Sequence, residues 1–232
     1  MLMTTFTTEQ RVKLEDYLAN HTLPLGLGTE ESACSIAAIN LAISGELTDE
    51  IPDCMSKVLG KATITLQDAM PGEMRNSARY KRLLPEMAGT GRAKEKERLA
   101  VLMDWMWSTV LPQIQPLADE RGFGVEWSNM CRLKTSEATR CAVRAASAPA
   151  AAYAATAAAD AANADANANA ADAAYAANAN ADAANAAYAA AYAAYATAYA
   201  AADAAADADT FWNAVDPIGV LERMTYLEGD KE

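Results

Sequence analysis

Few residues in this chain can do nucleophilic, acid–base or metal chemistry in a usable arrangement. His21 is the single histidine, in a stretch that also holds Pro24, Gly26 and Gly28. A serine or cysteine nucleophile needs a base within reach, and a lone imidazole in such a loop has no distinctive neighbours. Nucleophilic catalysis is not expected. Cys34, Cys54, Cys131 and Cys141 show no CxxC spacing, and Cys131 and Cys141 stand ten residues apart, a poor match to the short-spaced ligand pairs of zinc sites. They read as buried free thiols. The Glu-x-x-His pairs of a di-iron bundle are missing. Glu30, Glu31, Asp49, Asp53 and the later aspartates form no paired motif for carboxylate-held magnesium of the kind helical nucleotide pyrophosphatases use. No catalytic residue, metal ligand or cofactor is assigned, and no enzyme is expected.

One stretch does carry the ingredients of a binding site. Between Glu73 and Arg98 the charge balance reverses: Arg75, Arg79, Lys81, Arg82, Arg92, Lys94, Lys96 and Arg98 outnumber Glu73, Glu86, Glu95 and Glu97. Gly89, Thr90 and Gly91 lead into a helix expected to begin near Arg92. A flexible loop feeding a helix N-terminus beside cations is a recipe for anion binding, because free amides and the helix dipole face one spot. Arg79, Thr90, Gly91, Arg92 and Lys94 are therefore the candidate ligand-binding residues, for an anionic small molecule such as a signalling nucleotide. Lys94, Glu95, Lys96, Glu97 and Arg98 also read as an ordinary solvated face with intrahelical pairs. Gly26 and Gly28 resemble half of a dinucleotide fingerprint, but no strand precedes them and no third Gly follows.

The second candidate is aromatic. Tyr188, Tyr192, Tyr195 and Tyr199 follow one another at three and four residues, which places them on one helix face. Tyrosine brings area and a hydroxyl to protein interfaces, so the ridge is a candidate contact surface. Packed inward on the N-terminal helices, the same residues would be core.

The element that must present these tyrosines is the tract 150–209, where roughly two of every three residues are Ala and no Lys, Arg, Gly or Pro occurs. Alanine has the highest helix propensity. One unbroken helix of this length would span about 90 Å, against a radius of gyration of about 17 Å for a compact chain of this size, so the tract is expected to fold back. Two out-of-phase polar stripes meet near NADANAN at 163–169, the first choice for a hairpin; NANAD at 178–182 is the second. A narrow polar stripe on a broad Ala surface implies that both flanks are covered and that helix axes approach closely. Recurrent Asp and Asn argue against a membrane span.

The remaining elements follow from local signals. Thr7 and Gln10 form a capping-box pattern for a helix to about Asn20, with Val12, Leu14, Tyr17 and Leu18 inward. Thr29 is read as the cap of a second, central helix to Ser44 with Gly45 as its stop. Pro52 is read as the start of a third helix through Gln67, in which Ala62 to Leu66 has strand character as an alternative. Leu99, Leu102, Met103, Met106 and Val110 give the next helix a core stripe up to Pro112. Pro112 and Pro116 introduce a shorter helix, and a helix after Gly124 is expected to run into the Ala tract. Asp216 and Pro217 cap a last, docking helix with Ile218, Leu221, Met224 and Leu227.

The expected fold is all-α: a single helical-bundle domain with long, closely packed antiparallel Ala-rich helices. Residues 1–149 form an N-terminal helical region, 150–209 the Ala-rich hairpin and 210–232 a C-terminal docking helix, as one folded unit. A pI near 4.6 and a formal charge of −12 argue against general nucleic-acid or anionic-membrane binding. Met1 to Gln10 lacks a basic region followed by an apolar run, so no signal peptide is expected and a reducing cytoplasm fits the thiols.

Three stretches carry a resemblance: GLGTEESACSIAAINLAISGELTDEIPDCMS at 26–56, RLAVLMDWMWSTVLPQIQPLADERGFG at 98–124 and DPIGVLERM at 216–224. They resemble phage and bacterial proteins with a low-complexity, Ala-rich helical region before a short C-terminal helix. The resemblance transfers no functional residue and implies an accessory protein more than a housekeeping enzyme. Three functions fit: a non-catalytic interaction or assembly protein whose partner is another protein or itself as a homo-oligomer, a binder that sequesters an anionic ligand, and an acidic mimic of nucleic acid.

Overall fold

Thr7 starts the first helix by the reciprocal bond that its spacing from Gln10 predicts. Its hydroxyl accepts from the Gln10 amide at 3.2 Å, and the Gln10 side chain accepts from the Thr7 amide at 2.9 Å. Helix α1 then runs Thr8–Asn20, burying Leu14 and Leu18 and leaving Val12 exposed. The computed structural model describes residues 5–146, 149–170, 185–193, 195–197 and 208–227. Among these the fold is all-α apart from one two-stranded hairpin, β1 (Gly28–Thr29) and β2 (Ser32–Ala33).

That hairpin displaces the second helix from its expected start at Thr29. Gly28 sits at φ +80° against the Ser32 carbonyl, where a Cβ would collide, and pairs with Ala33 across the turn. Helix α2 is therefore Ser35–Ser44, capped by Cys34 and ended by Gly45 at φ +77°. It is buried from Ser35 to Asn40 and is central, as its composition predicts. Asn40 donates to the Thr48 and Glu50 carbonyls at 2.8 Å each, which ties down the loop that follows.

Helix α3 (Lys57–Ala69) begins at a Ser56 cap and not at Pro52, and residues 62–66 are helical. Short α4 (Gly72–Arg75) and α5 (Ala78–Ala88) follow. Helix α6 (Glu95–Trp105) starts later than Arg92 and does not stay α-helical to Pro112. It widens into a π turn at Met106–Val110 and tightens into a 3₁₀ turn at Leu111–Ile114 before α7 (Gln115–Glu120). Pro112 and Pro116 have no amide hydrogen to continue the α pattern. Gln115 bonds back to Pro112, and the Leu111 carbonyl takes the buried Trp127 indole N–H at 2.8 Å.

Helix α8 (Gly124–Leu133) does not run into the Ala tract. Lys134, at φ 55°, ends it in a left-handed cap, and Thr135 caps a separate α9 (Ser136–Ala145). Helix α10 (Pro149–Ala170) packs along α9. It continues through 163–169, so the first-choice hairpin is not a break; the second choice, 178–182, lies outside the described residues. Alanine propensity carries the helix past its Asn and Asp residues, and α10 buries Ala151, Ala154, Ala155, Ala158 and Ala161 at helical spacing. Residues 185–193 and 195–197 are again helical (α11).

Helices α12 (Ala208–Val215) and α13 (Pro217–Thr225) close the described chain. The Asp216 carboxylate caps α13, as expected, and α13 packs on α3, α5 and α6. One contiguous cluster of buried side chains extends from Leu14 through the alanines of α10 and α11 to Met224.

Candidate functional site

The loop before α6 holds the expected basic residues, but its donors are turned inward. The amides of Gly89, Thr90 and Gly91 donate to the carbonyls of Glu86, Met87 and Cys54 at 3.3, 3.2 and 2.8 Å. Gly91 adopts φ +59° to make this turn. The Thr90 hydroxyl accepts from the Ser56 amide at 3.1 Å and donates to the Met87 carbonyl at 2.8 Å. Loop 89–91 is thus a clasp on the start of α3.

The helix N-terminus that does receive an anion here is that of α3, and the anion is the chain's own. Glu95, at 3% exposure, accepts from the Ser56 hydroxyl at 2.7 Å, the Lys57 amide at 2.8 Å and the Val58 amide at 3.0 Å. The dipole and free amides of α3 are met by this carboxylate. Glu95 and Arg98 are buried, which corrects their reading as part of a solvated face.

Several cations of this stretch are also engaged within the chain, while Arg82 and Lys96 face solvent. Arg92 pairs with Asp53 at 2.9 Å. Arg79, on α5, grips Asp216 and Glu222 at 2.8 and 2.6 Å, and both carboxylates, Glu222 foremost, hold its guanidinium protonated. Lys81 donates to the Leu18 and His21 carbonyls, buried Arg75 to those of Leu23, Gln67 and Met70. Lys94 is the half-buried N-cap residue of α6. Arg79 therefore serves the C-terminal helix, while Thr90, Gly91 and Arg92 serve the segment before α3. A cleft beside the hairpin, lined by Gly26, Leu27, Cys34, Gln67 and Asp68, offers about 30 Å³, room for a water or two and not for a nucleotide.

The histidine and three of the four cysteines are also held by the fold, and Cys141 is exposed. The His21 ring stacks on Tyr17, with centroids 4.3 Å apart, and its Nδ1 lies 2.9 Å from the Tyr17 carbonyl. Burial pushes the thiols of Cys34 and Cys54 up, and that of Cys131 up to about 11, which favours the protonated form in all three. Among the described residues no group of three or more His, Cys, Asp or Glu converges as a metal site would require, and no helix is long and apolar enough to cross a membrane.

The tyrosine ridge has a different environment. Along α11 the alanines at 186, 187, 189, 190, 191, 193 and 196 are buried, as is Thr197. Among the described residues of α11, Asn185, Tyr188 and Tyr192 are exposed, with Tyr195 half-buried. Tyr188 is 51% and Tyr192 39% exposed. Their rings stack at 6.1 Å and 18°, and Tyr195 continues the row at 5.7 Å from Tyr192. Tyr199 lies outside the described residues. Among the described residues of α11, two rings thus face solvent and a third is half-buried, beside alanines that are buried.

A second exposed stripe runs along α9 through Glu137, Arg140 and Arg144. Its three- and four-residue spacing was legible in the sequence, although it lies outside the sequence candidates. The role of Glu95 was not legible, because its partners stand 37 to 39 residues away. Compared with known proteins, the chain matches no protein-family model, no curated protein and no solved structure.

Proposed function

We propose that this chain is a non-catalytic helical interaction and assembly protein, an accessory factor of phage or bacterial origin, whose contact surface is the tyrosine ridge of α11. The observation that carries this reading is the exposure of Tyr188 and Tyr192 on a helix whose described alanines are buried. Tyrosine is enriched at protein interfaces, where its ring supplies contact area and its hydroxyl a hydrogen bond. The internal engagement of His21 and the raised thiols favour a protein without nucleophilic chemistry.

Capture of an anionic nucleotide draws less support, because a ligand at Arg92 would have to displace Asp53 and one at the α3 N-terminus would have to displace Glu95. Mimicry of nucleic acid rests on acidity alone. Native mass spectrometry of the chain purified from its own cells tests the proposal. The expected result is a complex heavier than the 24.5 kDa chain with no small molecule retained. A single chain carrying a nucleotide-sized excess would overturn it in favour of capture.

A further inference from the structure

We infer that loop 23–28 is a preformed recognition loop, which presents Leu25 and Leu27 to an apolar cleft edged by lysine or arginine on another protein. It is a contact surface additional to the tyrosine ridge and rests on separate residues. The backbone of this loop is held by side chains from α3, from α4 and from Asn76 just after α4. The Leu23 amide donates to Asn76 Oδ1 at 2.7 Å, and the Leu23 carbonyl accepts from Arg75 Nε at 2.9 Å and Asn76 Nδ2 at 3.2 Å. The Pro24 carbonyl accepts from Gln67 Nε2 at 3.1 Å, and the Gly26 amide donates to Asp68 Oδ1 at 3.0 Å. The Leu27 carbonyl accepts from the Cys34 amide at 3.0 Å. Gln67 and Arg75 are buried, so polar side chains withdrawn from water fix the course of the loop. Leu23, 1% exposed, anchors it in the core, whereas Leu25 and Leu27 are 61% and 39% exposed. The loop is thus held without these two leucines. A loop fixed before it binds loses little conformational freedom on association, and each leucine taken out of water by a partner adds affinity in proportion to its area.

Charge selects the partner. From His21 to Ser56 the chain has six carboxylates and no lysine or arginine. Glu30 and Glu31 are exposed at the turn of the β1–β2 hairpin that the loop enters. Asp49 and Asp68, also exposed, line the same cleft as Gly26 and Leu27. Arg75, the cation bonded to the loop, is buried. An apolar tip in these anionic surroundings is repelled by phosphate, whether in nucleic acid or in anionic lipid headgroups, and is drawn to a basic rim. The surface that complements both features is a protein cleft with apolar walls and Lys or Arg at its edge.

A photo-cross-linking benzoylphenylalanine at Leu25, in the full chain in its own cells, traps the occupant, and the trapped protein is identified by peptide mapping and purified for binding measurements. The expected result is a cross-link from position 25 to an apolar segment of one other protein. Its affinity should fall at least about tenfold for Leu25→Ser/Leu27→Ser, and should fall also for Glu30→Gln/Glu31→Gln and with added salt. All four positions are exposed, so both variants should keep the wild-type circular dichroism and thermal midpoint. Cross-links to lipid, to nucleic acid, to a second copy of this chain or to nothing overturn the inference. So does a trapped protein that binds the leucine variant as tightly as the wild type, or one indifferent to both the glutamate variant and salt. Each of these failures leaves the tyrosine-ridge reading standing, because Tyr188 and Tyr192 are intact in every variant.

Discussion

Glu95 carries out internally the chemistry that the basic loop suggested for a ligand. Three donors from Ser56, Lys57 and Val58 converge on one buried carboxylate, and bonds to a charged acceptor are the stronger kind. Glu95→Ala would leave these donors without their acceptor, and we expect a loss of about 3 kcal/mol in urea unfolding. Glu95→Gln keeps one acceptor oxygen and should lose about half as much. An alanine variant with the wild-type midpoint would show that this carboxylate does not hold α3. The cysteines make a separate prediction. Cys141 is exposed, while burial raises Cys34, Cys54 and Cys131. Iodoacetamide at neutral pH should therefore modify Cys141 first, and peptide mapping that finds Cys131 modified equally fast would contradict the burial described here.

At the scale of elements, two interactions compete for credit in docking the C-terminal pair. Arg79 bridges Asp216 and Glu222, yet its side chain is 43% exposed, and exposed ion pairs contribute about 0–1 kcal/mol. Leu221 is fully buried, with Phe211, Trp212, Ile218 and Met224 also in the core. Leu221→Ala should destabilise by about 2–5 kcal/mol, and Arg79→Ala by less than about 1. Thermal unfolding of both variants decides between packing and charge; the reverse order would make the ion pairs the dominant clasp. The start of α1 and the cap of α13 were legible because Thr7 with Gln10, and Asp216 with Gly219, act within three residues. The late starts of α2 and α3 were missed although their caps, Cys34 and Ser56, also act within three residues, because earlier residues offered equally good local signals; for α6 the missed partner is distant, since Glu95 turns to the start of α3.

For the whole molecule, the raised groups set a sensitivity to base. Desolvation lifts Cys131 to about 11, and burial also lifts Cys34, Cys54 and Tyr80. A folded-state pKa above the unfolded one means that the native chain holds its proton longer. The stability this gives is fully present below an unfolded thiol pKa of about 8.5 and is lost as pH rises through the folded values. The thermal midpoint should fall between pH 8 and pH 10.5, and less so in Cys131→Ala. A midpoint independent of pH over that interval would show these groups to be open to water.

The sequence by itself determined the helical class, the breaker-free alanine tract, the local caps and the position of the tyrosines on one face, because each of these depends on propensity or on spacing within a turn or two. Tertiary structure alone decided that the loop at Gly89 to Gly91 clasps α3, that Glu95 fills the place of an external anion, and that Arg79 and Arg92 face carboxylates of distant segments. It also carried α10 through 163–169 along α9, and left Tyr188 and Tyr192 in water while the alanines beside them were covered. A chain shows which groups can pair; which of them meet, and which are left facing solvent, is settled only when the helices pack.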